Sequence, residues 1–250
     1  MFAEATGVTP APAAKASPPP PKTPTAPAPP VAAPSTSPAP ATGTKAERLA
    51  ALRDSVVPCA HCPSLVNSRT QVVFGVGNPE AELMFVGEAP GADEDAAGEP
   101  FVGKAGQLLT KIIETMGFRR DEVYIANVLK CRPDMPPGES GNRKPTLAEM
   151  NTCKPYLLEQ IAIIQPRVIV GLGATAMEGL LGMDKVAITK LRGEWREFAG
   201  TPLMPTFHPA YLLRNQALSE KRRVWEDMLA VLEKLGRPIS DKQRAYFLSK

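Results

Sequence analysis

The 250 residues contain no apolar run approaching the roughly 18–20 needed to cross a bilayer, which argues against a helical membrane protein and for a soluble one. The amino terminus also lacks the apolar stretch of a secretory signal, and Lys15 and Lys22 do not make an Arg-rich transit peptide. Cysteine is sparse, four residues in all, and without a secretion signal a disulfide framework is disfavoured. The formal net charge of +3 is too small to argue for nucleic acid by itself, although a local basic patch would suffice. No Gly-Lys-Ser/Thr closes a phosphate loop, no glycine spacing fits a dinucleotide fingerprint, and no internal repeat is visible.

Proline, by contrast, is crowded at one end. Residues 1–44 hold 13 of the 28 prolines, with Ala, Ser and Thr filling most of the rest. Such a composition cannot bury enough apolar surface to offset its ordering entropy. The segment is expected to be a disordered, partly polyproline-II tail, a tether whose partner is unknown. A globular domain is expected over residues 45–236 and a C-terminal extension over 237–250.

Within the domain, apolar residues at helical spacing mark helices over 46–56, 104–116, 146–164, 174–181 and 219–235. Gly117 closes the second, and Thr146 with Glu149 has capping-box spacing. Short apolar runs at 82–87, 122–129, 167–172 and 201–207 read as strands. Strands alternating with helices imply a three-layer α/β/α fold with a central, mainly parallel four-stranded sheet. Ligands in such sheets sit beyond the carboxyl ends of the strands, a rule that brings Gly87–Gly91, Asn127 and His208 to one rim.

Cys59 and Cys62 form a Cys-x-x-Cys pair, whereas Cys131 and Cys153 come singly with 21 residues between them. Structural zinc more often uses two compact pairs, with His61 here as an additional donor. An iron–sulfur cluster needs four thiolates, which separate segments can supply. Ordinary buried cysteines are the third reading. Spacing alone leaves zinc and iron–sulfur both open.

Five further segments carry chemistry: Gly87-Glu88-Ala89-Pro90-Gly91, Gly98-Glu99-Pro100-Phe101-Val102-Gly103, Tyr124-Ile125-Ala126-Asn127, Cys131-Arg132-Pro133 and His208-Pro209-Ala210-Tyr211-Leu212-Leu213-Arg214. Glycine and proline at a strand end let backbone N–H groups approach a ligand closely. In this order, and with the four cysteines, the segments resemble the family 4, iron–sulfur uracil-DNA glycosylases over about residues 45–236. The resemblance implies an enzyme that flips uracil out of DNA and hydrolyses its N-glycosidic bond, releasing free uracil and leaving an abasic site. It also implies a 4Fe–4S cluster held by Cys59, Cys62, Cys131 and Cys153.

By the same resemblance Phe101 stacks on the flipped ring, and Asn127 pairs with uracil O4 and N3–H. Gly87, Ala89 and Gly91 belong to the loop around the base. His208 resembles the residue that stabilises negative charge at uracil O2. Other families of the superfamily place an Asp where this chain has Ala89, so orienting water falls to Glu94 or Glu88. Leu212 or Leu213 is a candidate wedge into the gap left by the base. Arg214 is a candidate phosphate contact, and Arg132 a DNA contact on a loop locked by the cluster.

The stretch between Cys131 and Cys153 is longer than the family usually has, with Pro136, Pro137, Gly138 and Gly141 marking a loop insertion. No histidine lies between Cys62 and His208, so the covalent uracil trapping of the related family X is not expected. The expected partner is uracil-containing DNA, bound by a monomer in the cytoplasm of a bacterial-type cell, at the nucleoid, without membrane. The rival reading is a non-catalytic Fe–S DNA-binding or lesion-sensing module on the same scaffold. Loss of Asn127 or His208 would have favoured it, and both are present. A third reading, a zinc-bound nucleotide-binding protein, predicts colourless material.

Overall fold

The computed structural model describes residues 42–133, 135, 139 and 141–248. All but the last three residues of the proline-rich tail lie outside the described residues, as do Pro136, Pro137 and Gly138 of the expected insertion.

Local chemistry sets the ends of the elements. Helix α1 (Lys45–Val56) opens on a capping box in which the Thr44 hydroxyl and the Glu47 carboxylate each accept from the other's backbone N–H. Helix α2 (Pro63–Ser68) begins with proline, whose missing N–H would have no helical partner there. Strands β1 (Val76–Gly77) and β2 (Leu83–Gly87) lead to α3 (Ala92–Ala97) and α4 (Lys104–Met116), the latter stopped by Gly117 at φ 93°. Strand β3 (Tyr124–Asn127) precedes α5 (Leu147–Ile164), which starts with the expected Thr146–Glu149 capping box. The order continues with β4 (Val168–Leu172), α6 (Ala174–Leu181), α7 (Ile188–Leu191), β5 (Arg196–Phe198), β6 (Thr201–Thr206), α8 (Pro209–Arg214), α9 (Leu218–Leu235) and α10 (Asp241–Ala245).

Among the described residues the strands form one sheet in the order β1-β3-β2-β4-β6-β5. The four inner strands are parallel and the two edge strands antiparallel to their neighbours. The expected four-stranded parallel sheet is thus the centre of a six-stranded mixed one. Two- and three-residue edge strands leave little unpaired ladder for another chain to join.

The two-residue pleat sorts the inner strands' side chains into two cores. Met84, Val86, Ala126 and Ile169 pack with α1, α5 and α6. Leu83, Phe85, Ile125, Val168 and Val170 pack with α4 and α9. The register pairs Gly87 with Asn127 and Leu172 with Thr206, so the carboxyl ends of the inner strands line up along one rim.

The segment after Gly236, expected as an extension, lies against α4 and α9. Trp225 Nε1 donates to Gln243 O at 2.6 Å, Gln243 Nε2 donates to Thr115 O at 2.9 Å, and Tyr246 meets Trp225 edge-on at 5.5 Å. No helix of the described residues is long and apolar enough to cross a membrane.

Candidate active site

The rim site is built around a missing side chain. Gly87 ends β2 beside Asn127, which ends β3. A Cβ at Gly87 would lie 2.4 Å from Asn127 Oδ1 and 2.5 Å from Phe101 Cζ, so only glycine lets the amide and the ring converge here. Phe101 holds a φ of 57°, a left-handed conformation that a bulky residue adopts only when its surroundings enforce it. The backbone of α4 comes up beneath it at Gly106, where a Cβ would sit 1.8 Å from the Phe101 carbonyl oxygen.

Glu94 fastens these loops together. Its Oε2 accepts from Gly91 N at 3.0 Å, and its Oε1 accepts from Val102 N at 3.0 Å and Gly103 N at 2.9 Å. One carboxylate therefore ties the loop after β2 to the segment that carries Phe101. Glu88 differs. It is partly buried, and burial raises its pKa against the opposing pull of the Thr175 hydroxyl and the Lys144 charge.

His208 caps α8 and stands 5.6 Å from the Phe101 ring centre at 30°. Its Nδ1 accepts from Ala210 N at 3.1 Å, which leaves the single proton of the neutral ring on Nε2. Burial, helped by the Arg214 charge and opposed by Glu94, lowers the His208 pKa to about 4. The ring is neutral at pH 7, a donor without charge. The strand beneath it is held by Asp227: Thr206 Oγ1 donates to Oδ2 at 2.6 Å, and Arg192 Nη2 to Oδ1 at 2.6 Å.

Phe101, Asn127 and His208 line one cavity of about 420 Å³, with Glu88, Ala89, Gly91, Glu94 and Arg214 around them. Asn127 is 2% exposed, and its Oδ1 has no partner within the protein. A buried acceptor left unpaired costs about 1–3 kcal/mol. On the wall of a cavity, it is an oxygen suited to a ligand's N–H.

A second cluster lies in the core on the α5 side. Cys131 and Cys153 are buried, and Cys59 and Cys62 partly so. Arg69 Nη1 donates to Cys131 Sγ at 2.9 Å, and Lys130 N to Cys153 Sγ at 3.2 Å. Burial, and then the charges of Cys131 and Cys59, push the Cys62 thiol up to about 11. Cys153 rises to about 12, mainly through burial. The four sulfurs come close enough to oppose one another's ionisation. Among the described residues, no three His, Cys, Asp or Glu side chains are grouped to hold a single metal ion.

The uracil DNA glycosylase superfamily model matches residues 74–229. The chain is 47% identical to the type-4 uracil-DNA glycosylase of Thermotoga maritima over 188 residues, 74% of this chain and 93% of that protein. The chain belongs to the type-4 uracil-DNA glycosylases. It is also 41% identical to the type-4 proteins of Sulfurisphaera tokodaii (76% of this chain, 86% of that one) and Archaeoglobus fulgidus (70% and 88%).

In this glycosylase the remaining expected residues divide by exposure. Leu212 is 5% exposed and packs with Phe207 and Val224, so it is a core residue and not a wedge. Leu213 beside it is 39% exposed. Arg214 reaches the cavity, whereas Arg132 does not line it. Arg132 braces the following loop instead, with Nε donating to Asn142 Oδ1 at 2.7 Å and Nη2 to Gly141 O at 2.9 Å. That loop brings Asn142 to the cavity wall. Asn142 sits in the stretch that reads as a loop insertion, and nothing in its local spacing singles it out.

Proposed function

We propose that the chain removes uracil from DNA by hydrolysing its N-glycosidic bond, with Phe101, Asn127 and His208 as the groups that hold the flipped base. Their convergence on one cavity carries the reading. A base inside a duplex cannot reach such a cavity and must be extruded. Phe101 supplies a face for the flat ring. The Asn127 amide accepts from N3–H through its unpaired oxygen and donates to O4. Cytosine presents an amino group and an unprotonated nitrogen at those positions, and a fixed amide rejects that pattern.

As the bond breaks, negative charge gathers on the uracil ring, chiefly at O2. The Nε2–H of neutral His208 meets it, and a donor placed at such a developing charge is worth roughly 10²–10³ in rate. Because the Glu94 oxygens already accept three backbone N–H bonds, orienting water falls to Glu88. Its raised pKa makes it a better proton acceptor than an ordinary surface carboxylate. Leu213 is the wedge and Arg214 the phosphate contact.

Cys59, Cys62, Cys131 and Cys153 hold a 4Fe–4S cluster. Four cysteines whose charges oppose one another's ionisation, with N–H donors to two of the sulfurs, support this reading. When bound, the cluster supplies a covalent cross-link between α5, the Cys59–Cys62 turn and the Cys131 loop, and no electron is needed for the hydrolysis. Residues 45–236, with the following segment packed on α4 and α9, form the catalytic domain, residues 1–44 serve as a tether, and the protein works as a monomer on chromosomal DNA in the cytoplasm.

The test incubates the protein with a single-uracil oligonucleotide, followed by alkali to cleave abasic sites. Strand scission with release of free uracil, lost in His208→Ala, is the expected result. Glu88→Gln should be the more damaging carboxylate change in kcat, and Glu94→Gln should act through KM and stability. An intact oligonucleotide with wild-type protein would overturn the assignment in favour of a binding module.

A further inference from the structure

Lys130 is 1% exposed, and its ammonium has only neutral hydrogen-bond acceptors: Asn127 O at 2.9 Å and Gln160 Oε1 at 2.6 Å. A desolvated charge persists in a protein interior only with counter-charge or rich hydrogen bonding. Its position supplies the explanation. The backbone N of Lys130 donates to Cys153 Sγ at 3.2 Å, and the next residue is Cys131. Three residues before it stands Asn127, the end of β3.

The surroundings make this a rigid junction. Lys130 O accepts from Val73 N at 2.8 Å, while Val128 N and Leu129 N donate to Gly87 O at 3.0 Å and Glu88 O at 2.9 Å. Gln160 is itself anchored, its Nε2 donating to Phe74 O at 3.0 Å and Tyr124 Oη at 3.1 Å. The five residues from Asn127 to Cys131 thus span the distance from the base-reading amide to the thiolate nest, and the Lys130 side chain folds back to close the span.

We propose that Lys130 is a positioning residue that couples the cluster to the uracil reader. The inference rests on the iron–sulfur reading above. A cluster held by four thiolates carries net negative charge, which offsets the buried ammonium. The ammonium in turn fixes the Asn127 carbonyl, and with it the direction of the amide side chain. Lys130 touches neither base nor sugar and acts only through Asn127.

Lys130→Met removes the charge and the donor at nearly constant length, and Lys130→Gln removes the charge but keeps a donor for Asn127 O. Both are compared with Leu157→Ala, a fully buried change in α5 that carries no charge. The readouts on cluster-bearing protein are the cluster's reduction potential by film voltammetry, kcat and KM on a single-uracil oligonucleotide, and Tm. In both Lys130 variants the potential should move negative, because a nearby positive charge no longer favours the added electron. In Lys130→Met kcat should fall about 10- to 100-fold, the scale of a misplaced reacting geometry, with KM little changed; Lys130→Gln should recover part of it. Leu157→Ala should lower Tm and leave the potential unmoved. Brown, active wild type with Lys130 variants of unchanged potential and kcat overturns the coupling alone. Colourless but active wild type overturns the cluster reading and the coupling together, leaving excision standing.

Discussion

A single methyl group at position 87 should cripple excision while leaving the fold in place. Carbon contacts settle at about 3.5–4.0 Å, yet a Cβ on Gly87 would begin 2.4 Å from Asn127 Oδ1 and 2.5 and 2.7 Å from Phe101 ring carbons. The wall must therefore retreat by about 1 Å. Neither neighbour is a loose end. Both are buried, and the Phe101 backbone is pinned at φ 57° above Gly106. Overpacking of this kind costs about 1–3 kcal/mol of stability. A 1 Å displacement of reacting groups costs about 100-fold in rate, or roughly 2.7 kcal/mol of barrier. The assay is kcat/KM of Gly87→Ala on a single-uracil oligonucleotide, with Tm measured alongside. Gly117→Ala is the control, because a Cβ there meets nothing within 4 Å and the only cost is its left-handed φ of 93°. It should lose about 1 kcal/mol of stability and no activity. Gly87→Ala within threefold of wild-type kcat/KM would refute the idea that the amide and the ring are held by close packing.

Three other outcomes follow from the same geometry. With the His208 pKa lowered to about 4 from a free value near 6.5, its stability contribution, roughly 2–3 kcal/mol, is full above pH 6.5 and lost as pH falls through 4. Over that window wild type should lose this much stability relative to His208→Gln in thermal melts, and a rate limb near pH 6.5 that vanishes in His208→Gln would contradict the neutral donor. Leu213→Ala should slow excision from duplex more than from single-stranded DNA, whereas Leu212→Ala should cost about 2–5 kcal/mol of stability; equal effects on both assays would erase the distinction between wedge and core. Asp227→Ala strands the mostly buried Arg192 and should cost about 3–5 kcal/mol, read as a drop in Tm larger than that of the double variant Arg192→Ala/Asp227→Ala.

The parts of the fold legible in the sequence are those where one local signal suffices. Helix α4 carries a strong 3.6-residue stripe and a glycine stop, and its bounds are as expected. Thr146 and Glu149 mark the start of α5 by their spacing alone. Helix α3 (Ala-Asp-Glu-Asp-Ala-Ala) has no apolar stripe and reads as loop; it exists because Glu94 caps it while clamping two other segments. The edge strands β1 and β5 are too short for a two-residue alternation to register. Leu212 and Leu213 are chemically identical neighbours, and only the direction of a six-residue helix separates them. The site followed the same divide. Strand ends predicted the rim, but the left-handed turn at Phe101, the ammonium of Lys130 and the arrival of Asn142 depend on contacts between distant segments.

The orphan oxygen of Asn127 has a consequence after the chemistry is over. The severed base still carries its N3–H, so the liberated pyrimidine keeps a contact that this oxygen otherwise lacks. Dissolved uracil is therefore expected to compete with damaged DNA for one amide. The place to see that competition is a reaction run on heavily uracilated DNA, where the free base accumulates.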